Sequence, residues 1–229
     1  MDTSVVAVLV TGFLLGLRHA LDADHLAAMS AFVSQEATVA RSCLLGTFWG
    51  IGHTAALLVA GGLTIAFKTA ISPALESAIE SVVALVLIVL GAHVALGGLR
   101  VHDHTDAYDG VLHRHRHVHL GGEVSHRHVH LTEVARRPFL VGVLHGLAGS
   151  AALMLLVLAG IPSPPTALLY VLVFGIGSTG GMVVLSGLLG IPVALAAGRS
   201  QTASVLIRLV AGLASAAVGV LMAVELANR

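Results

Sequence analysis

Val5-Val-Ala-Val-Leu-Val-Thr-Gly-Phe-Leu-Leu-Gly-Leu17 and Leu26-Ala-Ala-Met-Ser-Ala-Phe-Val33 are apolar runs, and between them stands Arg18-His19-Ala-Leu-Asp22-Ala-Asp24-His25. Spanning a hydrocarbon core takes about 20 apolar residues as a helix, so the whole stretch from Val5 to Val33 is long enough to cross while tilted or interrupted. Arg18, Asp22 and Asp24 fall near its middle. On insertion scales each such charge costs about 2.5–3.5 kcal/mol at a helix centre. Three of them facing lipid is untenable, so they face a bundle interior or a watery cavity, paired with one another or with an ion.

The rest of the chain fits a helical membrane protein. Apolar residues make up 56%, charged residues 10%, and mean hydropathy is +0.94. A soluble domain needs more charge than that on its surface. Six spans are predicted: Val5–Val33, Leu44–Phe67, Ser81–Leu99, Phe139–Ala159, Leu168–Leu189 and Ala203–Val224. The absence of short alternating segments argues against a β-barrel. Met1-Asp-Thr-Ser carries no positive n-region, so the first apolar stretch is read as a span and not as a signal peptide. Cys43 alone cannot form an intrachain disulfide. Zero formal net charge names no partner, and nothing suggests nucleic acid. Nine arginines follow spans one, three and five or begin span six, against Lys68 and Arg229 on the other side. Basic loops stay inside, so the long middle loop is expected in the cytoplasm of a cell (inner) membrane protein, with both termini outside.

A shift of 126 residues lays Gly16-Leu-Arg-His19 on Gly142-Val-Leu-His145, and a shift of 125 lays Trp49-Gly-Ile-Gly-His53-Thr54 on Phe174-Gly-Ile-Gly-Ser178-Thr179. Each unit has three spans, so the two halves have opposite orientations. The expected fold is therefore all-α, six transmembrane helices as two inverted three-helix repeats: residues 1–100, a histidine-rich loop 101–137, and residues 138–229. Inverted repeats belong to secondary transporters, which bind cargo near mid-membrane, at discontinuous helices.

Imidazole nitrogen beside carboxylate oxygen suits borderline divalent metals such as nickel, cobalt or zinc. His19, Asp22, Asp24 and His25 are the candidate ligands. A regular helix sets His19 and His25 roughly 9 Å and about 120° apart, so sharing one ion requires a break. A plain Arg18–Asp22 pair at i,i+4 explains the charges but neither the histidines nor Asp24. A lone histidine in an apolar helix is usually a hydrogen-bonded structural group. His53 and His145 are stronger candidates than His93, because both sit in repeated motifs. In the second unit His145 matches His19, while Ala148, Ser150 and Ala151 replace Asp22, Asp24 and His25.

Arg18-His19-Ala-Leu-Asp22-Ala-Asp24-His25 resembles the His-x4-Asp-His signature of the nickel/cobalt transporter family. Gly50-Ile-Gly52-His53-Thr54 resembles that family's second histidine motif, and His145-Gly-Leu-Ala-Gly-Ser-Ala-Ala152 its urease-accessory branch. The resemblance spans the chain outside the central loop. It implies an integral permease whose box residues are needed for transport, with Ni2+ or Co2+ as substrate and no prosthetic group. The family's acidic third motif has no counterpart in this chain. The box lies in the first span here and in the second of longer, eight-helix members, which agrees with an outside N-terminus.

The 101–137 loop holds nine of the fourteen histidines and repeats a hexapeptide, His115-Arg-His117-Val-His119-Leu120 and His126-Arg-His128-Val-His130-Leu131. Extended, each would align three imidazoles on one face. Gly121-Gly122 between them allows a hairpin, and a disordered metal-chelating tract is the alternative. These six histidines are candidate auxiliary ligands that could pass metal to a cytoplasmic metallochaperone. Gly175-Ile-Gly177-Ser-Thr-Gly180 matches a dinucleotide pattern but lies inside a span with no strand before it. The expected function is non-enzymatic: uptake of Ni2+ or Co2+ by a secondary permease. Efflux through the same site, a non-transporting membrane metal sensor and a haem protein are the alternatives, the last leaving both aspartates unexplained.

Overall fold

The computed structural model describes residues 3–67, 72–97, 101–108, 111–118, 131–148, 161, 163–197 and 199–229. Among them are seven helices: α1 Thr3–His19, α2 Ala23–Val33, α3 Val39–Phe67, α4 Pro73–Gly97, α5 Leu131–Ala148, α6 Pro164–Ala197 and α7 Gln201–Ala227. Four of these, α3, α4, α6 and α7, are long and apolar enough to cross a membrane, and the bent pair α1–α2 makes a fifth candidate. Large apolar side chains such as Leu63, Phe67, Leu85, Leu188 and Leu221 stand exposed on their outer faces. The protein is a helical membrane protein.

The first stretch breaks where the charges fall. Helix α1 ends at His19 and α2 starts at Ala23, with the two axes bent by 55°. Leu21 N–H and Asp22 N–H bond back to the carbonyls of Arg18 and His19 at 2.9 and 3.0 Å, a tighter winding than the α-helix. Asp22 then turns extended (φ −63°, ψ 148°) and its carbonyl receives the first bond of α2, from Leu26 N–H at 2.9 Å. Aspartate suits that N-cap conformation.

Lipid tails are as apolar as the side chains, so close approach through small residues holds such helices together. The glycine contacts come in pairs related by the 125–126 shift. Gly16 of α1 meets the carbonyl of Phe174 on α6, and Gly142 of α5 meets that of Trp49 on α3. Gly177 meets Phe13, and Gly52 meets Phe139. A Cβ at Gly50 would lie 2.7 Å from Thr179 Cα, while Gly175 abuts Thr54. The Thr54 hydroxyl bonds the Gly175 carbonyl and the Thr179 hydroxyl, each at 2.9 Å. The order of these contacts makes α1 parallel to α6, α3 parallel to α5, and α3 antiparallel to α6. Helices α4 and α7 pair antiparallel through Gly91, Gly212 and Gly219, and Ser215 hydroxyl donates to the Leu87 carbonyl at 3.0 Å. Helix α2 lies between the two groups: Ser186 hydroxyl donates to Met29 sulfur at 3.0 Å, and Arg208 Nε donates to the Ser34 carbonyl at 3.3 Å.

Two expectations need correction. The loop 101–137 is shorter than expected, because α5 begins at Leu131 and runs through Pro138; positions 131–137 are helix, and apolarity alone underestimates helices whose polar ends leave the hydrocarbon. The described loop is also not wholly irregular. Strand β1, Val101–Tyr108, pairs antiparallel with β2, Val111–Val118, setting His102 opposite His117 and His104 opposite His115. The described pairing joins the residues on either side of 109–110, while Gly121-Gly122 and most of the second hexapeptide lie outside the described residues. Outside this hairpin the described chain is all-α. The C-terminal part of the expected fourth span, 149–159, lies outside the described residues.

Candidate metal centre

The break does for the histidines what a regular helix cannot. His19, the last residue of α1, and His25, in the first turn of α2, come to a ring-centroid distance of 4.7 Å. His53 of α3 joins them, 5.1 Å from His19 and 5.3 Å from His25. One nitrogen from each of His19, His25 and His53 lies within 4.8 Å of the others. Metal–nitrogen bonds of about 2.0–2.1 Å put two ligand nitrogens on one ion about 3–4 Å apart. The 3.1 Å between His19 Nε2 and His53 Nε2 already meets that requirement. The wider separations need a closure of roughly 1 Å on the same bond lengths.

The carboxylates stand behind the rings rather than among the three clustered nitrogens. Asp22 Oδ2 is 2.7 Å from His19 Nδ1, and Asp24 Oδ1 is 3.0 Å from His25 Nδ1. A ring that donates Nδ1–H to a carboxylate carries its lone pair on Nε2, the form a cation requires. Asp22 is thus paired with His19 and not with Arg18. Asp24 also lies in the first turn of α2, where a negative charge opposes the positive end of the helix dipole, and α1 turns its negative end toward the same place. His25 and His53 are 2% and 0% exposed, whereas the Asp22 side chain is 53% exposed. The cluster is therefore sealed on the α3 side and open at the break.

His145 of α5 stands next to this group but outside it. Its ring lies 5.2 Å from His25, and its Nδ1 donates to the Val141 carbonyl at 2.9 Å. Gly146 beside it packs on the backbone of His53, which is what brings α5 so close to α3. His25 Nε2, His53 Nδ1 and His145 Nε2 are buried without a hydrogen-bond partner. His93 is exposed on α4, away from these rings. Of the auxiliary candidates, His115 and His117 lie on β2, while His119, His126, His128 and His130 fall outside the described residues.

Two residues of the site were not singled out from sequence. Trp49 walls His145 at 4.9 Å and His25 at 6.4 Å, and Phe174 stands 5.5 Å from His19. The signal was available: Trp49 is four residues before His53 and so shares its helix face. Phe174 is the matching residue of the second unit.

No family model matches the chain, and no solved structure matches it. It is 35% identical over 196 residues to the urease accessory protein UreH of Bacillus sp. (strain TB-90), covering 86% of this chain and 82% of that protein. It is also 28% identical over 180 residues to the chloroplast protein FOR GROWTH AND FERTILITY 2 of Arabidopsis thaliana, 78% of this chain but only 45% of the plant protein. Identity at that level across most of both chains shows that the chain belongs to the family of the urease accessory protein UreH.

Proposed function

We propose that this protein is a secondary permease for Ni2+ or Co2+, a member of the nickel/cobalt transporter group, working inward across the cell membrane. The observation that carries the reading is the convergence of His19, His25 and His53 at a helix break inside an apolar bundle. Three imidazoles backed by two carboxylates favour borderline divalent ions over Mg2+ or Ca2+, which prefer oxygen. A broken helix at such a site is the arrangement transporters use to hold cargo. His19, His25 and His53 replace water on the ion, and Asp22 and Asp24 orient the rings and offset its charge.

The glycine and threonine contacts related by the 125–126 shift support six spans in two inverted halves. Arginine placement puts the hairpin in the cytoplasm and both termini outside. The histidines of the 101–137 loop then receive the ion, and a cytoplasmic metallochaperone collects it. Supply of metal fits the accessory role in the bacterial relative's name.

Purified protein in sealed vesicles should move Ni2+ or Co2+ down an imposed gradient, and His19→Ala should abolish the flux. A wild type that moves neither ion sinks the proposal. Flux that proceeds only when metal is loaded on the cytoplasmic side would reassign the direction to efflux.

A further inference from the structure

His19 and His145 are matching residues of the two units, and so are Phe174 and Trp49. Their contacts repeat the relation: Phe174 stacks beside His19 at 5.5 Å, and Trp49 beside His145 at 4.9 Å. His25 is different, because Ala151 stands at its matching position. Its ring instead neighbours both matching histidines, 4.7 Å from His19 and 5.2 Å from His145. The structure thus places one unduplicated histidine beside each of two duplicated ones.

His145 is prepared as a ligand that the His19–His25–His53 set does not use. The Val141 carbonyl accepts its Nδ1–H at 2.9 Å, which fixes the lone pair on Nε2. That Nε2 is buried and unpartnered. A structural histidine would account for the first nitrogen and leave the second unexplained. His25 sits in the first turn beyond the break, within reach of both neighbours.

We propose that His25 and His145 form a second station for the same cation, distinct from the first. The ion crosses the middle of the protein by exchanging ligands. It remains on His25 while its bonds to His19 and His53 break and a bond to His145 Nε2 forms, with water filling the vacated positions and no change in charge. This rests on the permease reading, yet the stations are readable by binding alone.

The test uses the full chain with Co2+, titrated in detergent by visible absorption and measured for flux in vesicles. His145→Ala and His145→Gln should keep the tight Co2+ site within about threefold, while flux falls at least about tenfold. Loss of the tight site in both variants would make His145 a ligand of a single site and overturn the proposal, as would undiminished flux. The double variant His19→Ala/His53→Ala should retain one weaker Co2+ site that disappears when His145→Ala is added. No residual site in a monodisperse double variant refutes the second station. A wild type that binds Co2+ without moving it would sink the permease reading alone, and the double and triple variants would then decide the station.

Discussion

Removing the Asp24 carboxylate tests the division of labour in the cluster. Its Oδ1 accepts from His25 Nδ1 at 3.0 Å, and His25 is 2% exposed. Without that partner the ring loses the bond that fixes its tautomer and its orientation. Loss of such an outer partner costs about 10–100-fold in metal affinity, or about 1.4–2.7 kcal/mol. Asp24→Ala should fall in that range. Asparagine keeps a carbonyl acceptor but loses the charge, and charge-assisted bonds are about twice as strong as neutral ones. Asp24→Asn should therefore cost only about three- to tenfold on the same scale. The Asp24 side chain is 24% exposed, so direct attraction between its charge and the ion is partly screened and adds little beyond this. Isothermal titration with Co2+ on detergent-purified protein gives both affinities, with His25→Ala as the reference for a lost ligand. Wild-type affinity in Asp24→Ala would show that the bond does not prepare the ring. A loss in Asp24→Asn as large as in His25→Ala would mean that Asp24 binds the ion itself.

Other predictions concern the frame around the site. Gly50→Ala should lower the Tm by the cost of overpacking, about 1–3 kcal/mol, since its Cβ would meet Thr179 at 2.7 Å, while Gly62→Ala in open space should be neutral or better. Thr54→Val removes hydroxyl bonds to Gly175 and Thr179 and should cost about 0.6–1.7 kcal/mol in a folding assay in bilayers. Arg208→Ala frees the Ser34 carbonyl at the end of α2; hydrogen exchange should rise in α2 before it rises in α3. Burial raises the pKa of Glu36, in the connection between α2 and α3, with Arg41 opposing. A raised folded pKa means the native state holds the proton more tightly than the unfolded chain, so the ionised group costs stability above that pKa. Glu36→Gln should therefore raise the Tm at neutral pH and give no gain below about pH 4, where the group is protonated in both states.

The sequence by itself determined the membrane class and the identity of the charged box, because each follows from costs paid locally, and it made a break the condition for His19 and His25 to share an ion. Charge within an apolar stretch has to be hidden whatever the fold, and a straight helix holds His19 and His25, six positions apart in sequence, too far from one another to share an ion. The shift of 125–126 residues likewise marked the repeated motifs as places of close helix packing, while the pairings themselves came from the fold. Helix ends were less legible, since α4 and α5 each begin eight residues before their apolar cores, where polar residues leave the hydrocarbon. The hexapeptide repeat did not reveal that 101–108 pairs with 111–118. Only tertiary structure decided the roles within the box. The bend of 55° and the approach of α3 set His53 beside His19, turned Asp22 and Asp24 into partners of the rings, and left His145 facing His25 from the other half. Residue types state which ligands are available. Which of them share an ion depends on distances across helices far apart in sequence, and local chemistry does not encode those.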